Sequence, residues 1–214
     1  MPLIRRFVPL FALALLLSTP AVADFFDLGR LDAHWFSPDA VFREDSEIDY
    51  LWVSPGFTLT EQTLHFVPWP EPKFLGGKAR DRDANDRRLA RMMNADLHMV
   101  FADAFAHAFG DELTVSTESG EILVEGRIVD CSTGSDAAKA FVGFGAGAGS
   151  VTIDLRFVDA ESGKALAGLH HRVVSGTNWS TTDSKFIRWV DKMAKRIAER
   201  GLQSLYESGK NVRK

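Results

Sequence analysis

From Ser150 to Asp159 apolar and polar side chains alternate without a break. Val151, Ile153, Leu155 and Phe157 fall on one parity, Thr152, Asp154 and Arg156 on the other. A period of two sends these sets to opposite faces of a strand. Asp159-Ala-Glu-Ser-Gly163-Lys164 then reads as a turn, and Ala165 to Ser175 as the returning strand. Upstream, Leu113–Thr117 and Ile122–Cys131 flank Glu118-Ser-Gly-Glu121, a second hairpin pattern. Ile48 to Ser54 is rich in strand formers and is stopped by Pro55-Gly56, while Phe57 to Phe66 predicts a weaker strand.

The period changes to that of a helix after Asp83. Leu89, Met93, Leu97, Val100, Phe101, Ala104, Phe105 and Ala108 recur at i, i+3 and i+4, with Asp83 or Asn85 as cap and Gly110 as terminator. This predicts one long amphipathic helix, its polar face holding Arg91, Asn94, Asp96 and Asp103. A second helix, Asp183 to Tyr206, buries Phe186, Val190, Met193, Ile197 and Leu205 by the same spacing. Asp136 to Phe141 has the length of one helical turn. The pattern predicts an α+β fold: a mainly antiparallel sheet of about five strands with two amphipathic helices on one face.

Between these elements the chain is irregular. Pro68, Pro70 and Pro72 alternate around Trp69 and Glu71, which predicts an extended connector outside any ladder. With Gly76-Gly77 and the charged run to Arg88 it forms a long loop, a lid or exposed excursion. Residues 24–47 carry Phe25, Phe26, Trp35, Phe36 and Phe42 among acids with no clean period, an irregular N-terminal arm. One α+β domain spans 48–206, and 207–214 is a basic tail.

Composition narrows the setting. Arg5 and Arg6, the apolar run Phe7–Leu17 and the small residues Ala21-Val-Ala23 form an export signal over residues 1–23. Cleavage before Asp24 places the chain in the periplasm or outside the cell. The apolar run is too short for a good membrane span, and no span is expected in the mature chain. The lone cysteine, Cys131, is far from the cleavage site, so neither a lipid anchor nor an internal disulfide is expected. The 214 residues carry a formal charge of −4, and loss of the two leader arginines leaves 23 basic against 29 acidic side chains, or −6. That balance argues against a nucleic-acid partner.

Candidate chemistry starts at the glycines. Gly143, Gly145, Gly147 and Gly149 alternate around Phe144 and share the parity of Val151. Strand geometry would make them a bare strip beginning the core-facing row, fit for a bend, for close approach of another backbone, or for a partner segment with Phe144 opposite. A dinucleotide loop needs a strand before the glycines and a helix after; here a strand follows, and no cofactor is expected. Asp81-Arg-Asp83-Ala-Asn85 begins like a calcium loop but has Asp86 where glycine is required and Met92 where glutamate is, so it reads as a helix cap. Adjacent His170 and His171 point to opposite faces of their strand, and His98 and His107 are nine apart on a helix, so neither pair makes a metal site. Ser54 lacks the preceding glycine of a nucleophile elbow, since Trp52 stands there. Asp154 and Asp159 read as solvated acids, and Cys131 as a small buried hydrophobe.

The run Glu125-Gly-Arg-Ile-Val-Asp-Cys-Ser-Thr-Gly134-Ser, then Ala137-Ala-Lys-Ala-Phe-Val-Gly-Phe-Gly-Ala-Gly147, then Asp159 to Gly163-Lys164, resembles an exported bacterial family known as domain of unknown function 4410. The likeness covers about Leu113 to Ser175. Many members of that family look like outer-membrane lipoproteins, and this chain departs from them in lacking the lipid-bearing cysteine. The resemblance implies no activity. With no complete catalytic constellation in the sequence, the expectation is a non-catalytic envelope module that binds a protein, peptidoglycan or lipid partner. The alternatives are an envelope hydrolase with its site under the proline-rich loop, or a structural oligomer subunit using the aromatic arm.

Overall fold

The computed structural model describes residues 29–45, 48–57, 59, 62–77, 81–109, 113–134, 149–174, 192, 194–195 and 197–201. The export signal, Gly143, Phe144, Gly145, Gly147, the turn expected at 136–141 and most of the last helix lie outside these residues.

The described elements are α1 (Ala33–Phe36), β1 (Arg43–Glu44), β2 (Tyr50–Val53), β3 (Thr63–Phe66), α2 (Ala84–Asn94), α3 (Leu97–Phe109), β4 (Thr114–Ser116), β5 (Ile122–Ser132), β6 (Ser150–Asp159), β7 (Ala165–Val174) and a π-helical turn at Ile197–Gly201. The strands form one sheet in the order β1-β2-β7-β6-β5-β3-β4. The α+β class is as expected, but the sheet has seven strands and is mixed, not five and antiparallel, because β3 runs parallel to both β5 and β4.

The second hairpin does not form. β3 lies between β4 and β5, and the turn residues explain how. The Glu121 carboxylate accepts the Thr63 N–H at 2.6 Å. A side chain at Gly120 would strike the Thr63 carbonyl and the Leu64 backbone, so only glycine lets β3 come this close. The turn chemistry was visible; the strand it receives was not.

Val151, Ile153, Leu155 and Phe157 are fully buried on one face of β6, as their alternation predicts. They meet α2 and α3 residues Leu89, Met93, Leu97, Phe101 and Phe105, with Ala194, Ile197 and Ala198 in the same core. Asp83 caps α2, its side chain accepting the Asp86 N–H at 2.8 Å. The long helix is two helices. Asn94, expected on the polar face, is buried and donates to the carbonyls of Trp69 and Pro70 at 3.2 and 2.9 Å, and α2 ends there. The Asp96 carbonyl accepts the Met99 and Val100 N–H groups and starts α3.

The proline-rich segment is therefore neither lid nor excursion over residues 67–77. Val67, Lys73 and Leu75 donate backbone hydrogen bonds to Val124, Ile128 and Val129 of β5, while the prolines fall at positions that need no donor. Trp69 is buried, stacks on Phe101 at 5.4 Å, and sits where a side chain on Gly126 would be. Gly149 is buried immediately before β6 begins at Ser150.

The arm, expected to be irregular, contains α1 and β1 and lies on the other face of the sheet. There Phe36, Trp52, Val158 and Ala165 form a second, smaller apolar cluster with Trp35 and Phe42 at its margin. The sheet is thus covered on both faces, by helices on one and by the arm on the other.

Candidate functional site

The register of the three long strands builds a row of charge under the arm. Across β5 and β6, Arg127 stands opposite Asp154 and Glu125 opposite Arg156. Across β6 and β7, Asp154 faces His170 and Arg156 faces Gly168. Directly paired residues on one face have side chains within touching distance. The Asp154 carboxylate accepts from Arg127 Nε at 2.8 Å and lies 2.6 Å from His170 Nδ1, which places a proton between them. Arg156 Nε and Nη2 reach Glu125 at 2.7 and 2.6 Å. Asp154 is 0% exposed and Arg127 4%, so the solvated role read for Asp154 is wrong. Alternation tells which face a residue takes, not whether that face is covered.

The arm fits into this row. Trp35 lies between two guanidinium groups, with Arg127 4.2 Å and Arg156 4.5 Å from its ring centre. Each such contact contributes about 1 kcal/mol when partly desolvated. Arg156 Nη1 also donates to the Trp35 carbonyl. Phe36 occupies the notch at Gly168, where any side chain would meet its ring. Asp32 Oδ2 stands 3.5 Å from Arg127 Nη2, a buried nitrogen with no closer hydrogen-bond partner.

In this arrangement the charged groups are paired with one another beneath the arm. Both oxygens of Asp154 are engaged, one by His170 and one by Arg127, so the His–Asp pair holds an arginine in place. A second buried acid, Asp130, is taken up by Arg82 in a two-pronged contact at 2.8 and 2.7 Å, which raises the Arg82 pKa and anchors the start of α2 on β5. Asp86 of the calcium-like run spends one oxygen on the Thr133 N–H and hydroxyl. Asp159 accepts from the Ser162 hydroxyl and N–H in its turn, contacts that hold its carboxyl below the usual range. Burial pushes the Cys131 thiol far above its ordinary range, which makes it inert. An open cavity of about 520 Å³ lies beside Ser54, Phe57, Gln62 and Lys164, away from the proline-rich segment.

Of the glycine strip expected as a binding site, only Gly149 is described, buried just ahead of β6, and Gly143, Phe144, Gly145 and Gly147 lie outside the described residues. The row itself was missed. Its trace was present in the two segments Glu125-Gly-Arg127 and Asp154-Leu-Arg156, which match charge for opposite charge when laid antiparallel.

The profile of a family described as a domain of unknown function (DUF4410) matches residues 53–177, more than half of the chain. The chain belongs to this family. The DUF4410 span includes Arg127, Asp154, Arg156, Gly168 and His170, whereas Asp32, Trp35 and Phe36 precede it. No curated protein matches the chain. Among solved structures it is similar to a point variant of PelC, a dodecamer from Paraburkholderia phytofirmans, at 9% identity and a TM-score of 0.40, over 75% of this chain and 98% of that one. It is similar to a DUF330 protein from Xanthomonas campestris at 10% and 0.40, over 75% and 91%. A hypothetical protein from Chlamydia trachomatis aligns at 12% and 0.35, over 70% and 93%. Scores this low establish neither a shared fold nor a shared role.

Proposed function

We propose that this DUF4410 chain is a non-catalytic binding or assembly module of the cell envelope, exported by residues 1–23 and free of a lipid anchor. One observation carries the reading: charge pairs within the sheet fix two guanidinium groups on either side of Trp35, and a bare glycine notch beside them takes Phe36. A catalytic use of the same groups needs an unengaged acid or base facing a cleft, whereas Asp154 has both oxygens occupied and lies under the arm. Among the described residues no helix is long and apolar enough to cross a membrane.

The test is in-cell crosslinking and affinity capture of the full-length chain from the periplasmic fraction, beside a determination of the mature N-terminus. The expected result is an N-terminus at Asp24 and one reproducible envelope partner. Turnover of a peptidoglycan, lipid or peptide substrate by the purified chain would overturn the reading. The glycine strip at 143–149 is a second contact surface in this proposal. Gly145→Val separates its roles: a folded variant that loses the partner marks a contact, and a variant that cannot fold marks an architectural strip.

A further inference from the structure

We infer that the outer face of the sheet is a preformed receptor for an acidic–aromatic segment, and that the segment it takes is residues 29–42 of a second copy, exchanged between chains. The inference rests on the binding-module reading above and names the surface and the partner.

The receptor does not need the arm in order to exist. Arg127 is held by Asp154, Asp154 by His170, and Arg156 by Glu125, all pairs within the sheet. The notch at Gly168 is backbone. A groove whose parts are fixed before the ligand arrives loses little entropy on binding it. Arg127 Nη2, in a side chain only 5% exposed, has no hydrogen-bond partner among the described residues and finds Asp32 of the arm at 3.5 Å.

The arm, in turn, is built like a ligand. Its anchors are side chains: Asp32, Trp35 and Phe36, set three and one residues apart on a helix of one turn. A single turn has no stability of its own and takes its shape from the surface it meets. Among the described residues ahead of β1, one backbone–backbone hydrogen bond, Arg30 N–H to the Leu75 carbonyl, ties the arm to the body. Nothing in the grip depends on which chain supplies the segment. In the single chain its own arm fills the groove, and an identical segment from a second copy presents the same Asp32, Trp35 and Phe36 to it, which is the exchange inferred. Val41, 81% exposed at the end of the arm, is an apolar side chain that a paired copy would cover.

The experiment uses the full-length chain and a fluorescein-labelled synthetic peptide of residues 29–42. A double variant, Trp35→Ala with Phe36→Ala, vacates the receptor. It is expected to bind the peptide at least tenfold more tightly than wild type, and Gly168→Leu added to it should abolish the binding. By light scattering, wild type should dimerise with concentration and the double variant should remain monomeric. A folded double variant that does not take the peptide overturns the receptor. A wild-type chain that stays monomeric at every concentration overturns the exchange, even where the peptide binds. If the double variant does not fold, Phe36→Leu replaces it, with a threefold gain in peptide affinity expected and no gain counting against the receptor. Failure here is distinct from failure of the broader reading: a monomer that still captures an envelope partner remains a binding module, whereas a chain that turns over a substrate is not one.

Discussion

Asp154 sits between a histidine and an arginine with no exposure to solvent, so the cost of changing it is set by what is left behind. Asp154→Asn removes the charge that Arg127 is hydrogen-bonded to and leaves a buried guanidinium with only the more distant, part-exposed Asp32 at 3.5 Å. Breaking a buried pair in this way costs about 3–5 kcal/mol, and urea unfolding should show a loss of that size. Replacing Asp154, Arg127 and His170 together by apolar residues should cost less than Asp154→Asn alone, because no unpaired charge remains. A triple variant no more stable than the single one would show that packing, not charge, dominates the site. Asp49 gives the matching prediction in pH. Burial is the largest influence on its carboxyl and acts upward, yet the contacts from His171 and from the Arg172 N–H at 2.6 Å, with nearby positive charge, outweigh it and leave the pKa below 3.8. A depressed folded pKa contributes stability above the unfolded value and loses it as pH falls through the folded one. The difference in urea midpoint between wild type and Asp49→Asn should therefore be full at pH 6 and close below pH ~3.8. A difference that persists unchanged in stronger acid would remove ionisation as its cause.

At the scale of elements, the arguments turn on what a pattern can and cannot carry. The alternation in β6 predicted its buried face residue by residue, since a period of two has only one core-facing solution. It could not reveal that the polar face was covered too, because Trp35 and Phe36 come from an arm with no period of its own. The break between α2 and α3 was equally hidden: Asn94 fits a solvated helix face by type, and only the Trp69 and Pro70 carbonyls make it an interior residue. The hairpin read at Glu118–Glu121 failed because a turn's residues announce a reversal but not which strand fills the space beside it. The proline-rich connector is the element most changed by the structure, and it supplies a prediction. Trp69→Ala removes a buried indole that fills the space over Gly126 and stacks on Phe101, and should cost about 3–5 kcal/mol in urea unfolding. A true lid would lose almost nothing. A cost below ~0.5 kcal/mol, the usual range for a surface change, would return the segment to the surface.

At the scale of the whole molecule, the sheet can be probed from its centre. Cys131 lies on β5 opposite Val151 of β6, with no exposure, and its side chain faces the helices. No disulfide-exchange reagent can reach it until that layer opens. Burial also holds the thiol protonated, so the folded state offers neither access nor thiolate. If the arm, the sheet and the helices unfold as one unit, the labelling rate at pH 8 should follow the global unfolding free energy, and its urea dependence should equal the equilibrium m value. The Asp154→Asn variant tests the coupling between the two faces, since Asp154 lies on the arm side and Cys131 on the helix side. One cooperative sheet predicts that Asp154→Asn accelerates Cys131 labelling by the factor its urea unfolding reports, so a loss of about 3 kcal/mol would appear as roughly a hundredfold. Labelling that stays slow in this variant would mean that the arm and its charged row open without the core. The outer face would then be a separate, weaker layer, and its release would cost the molecule nothing on the side where the helices pack.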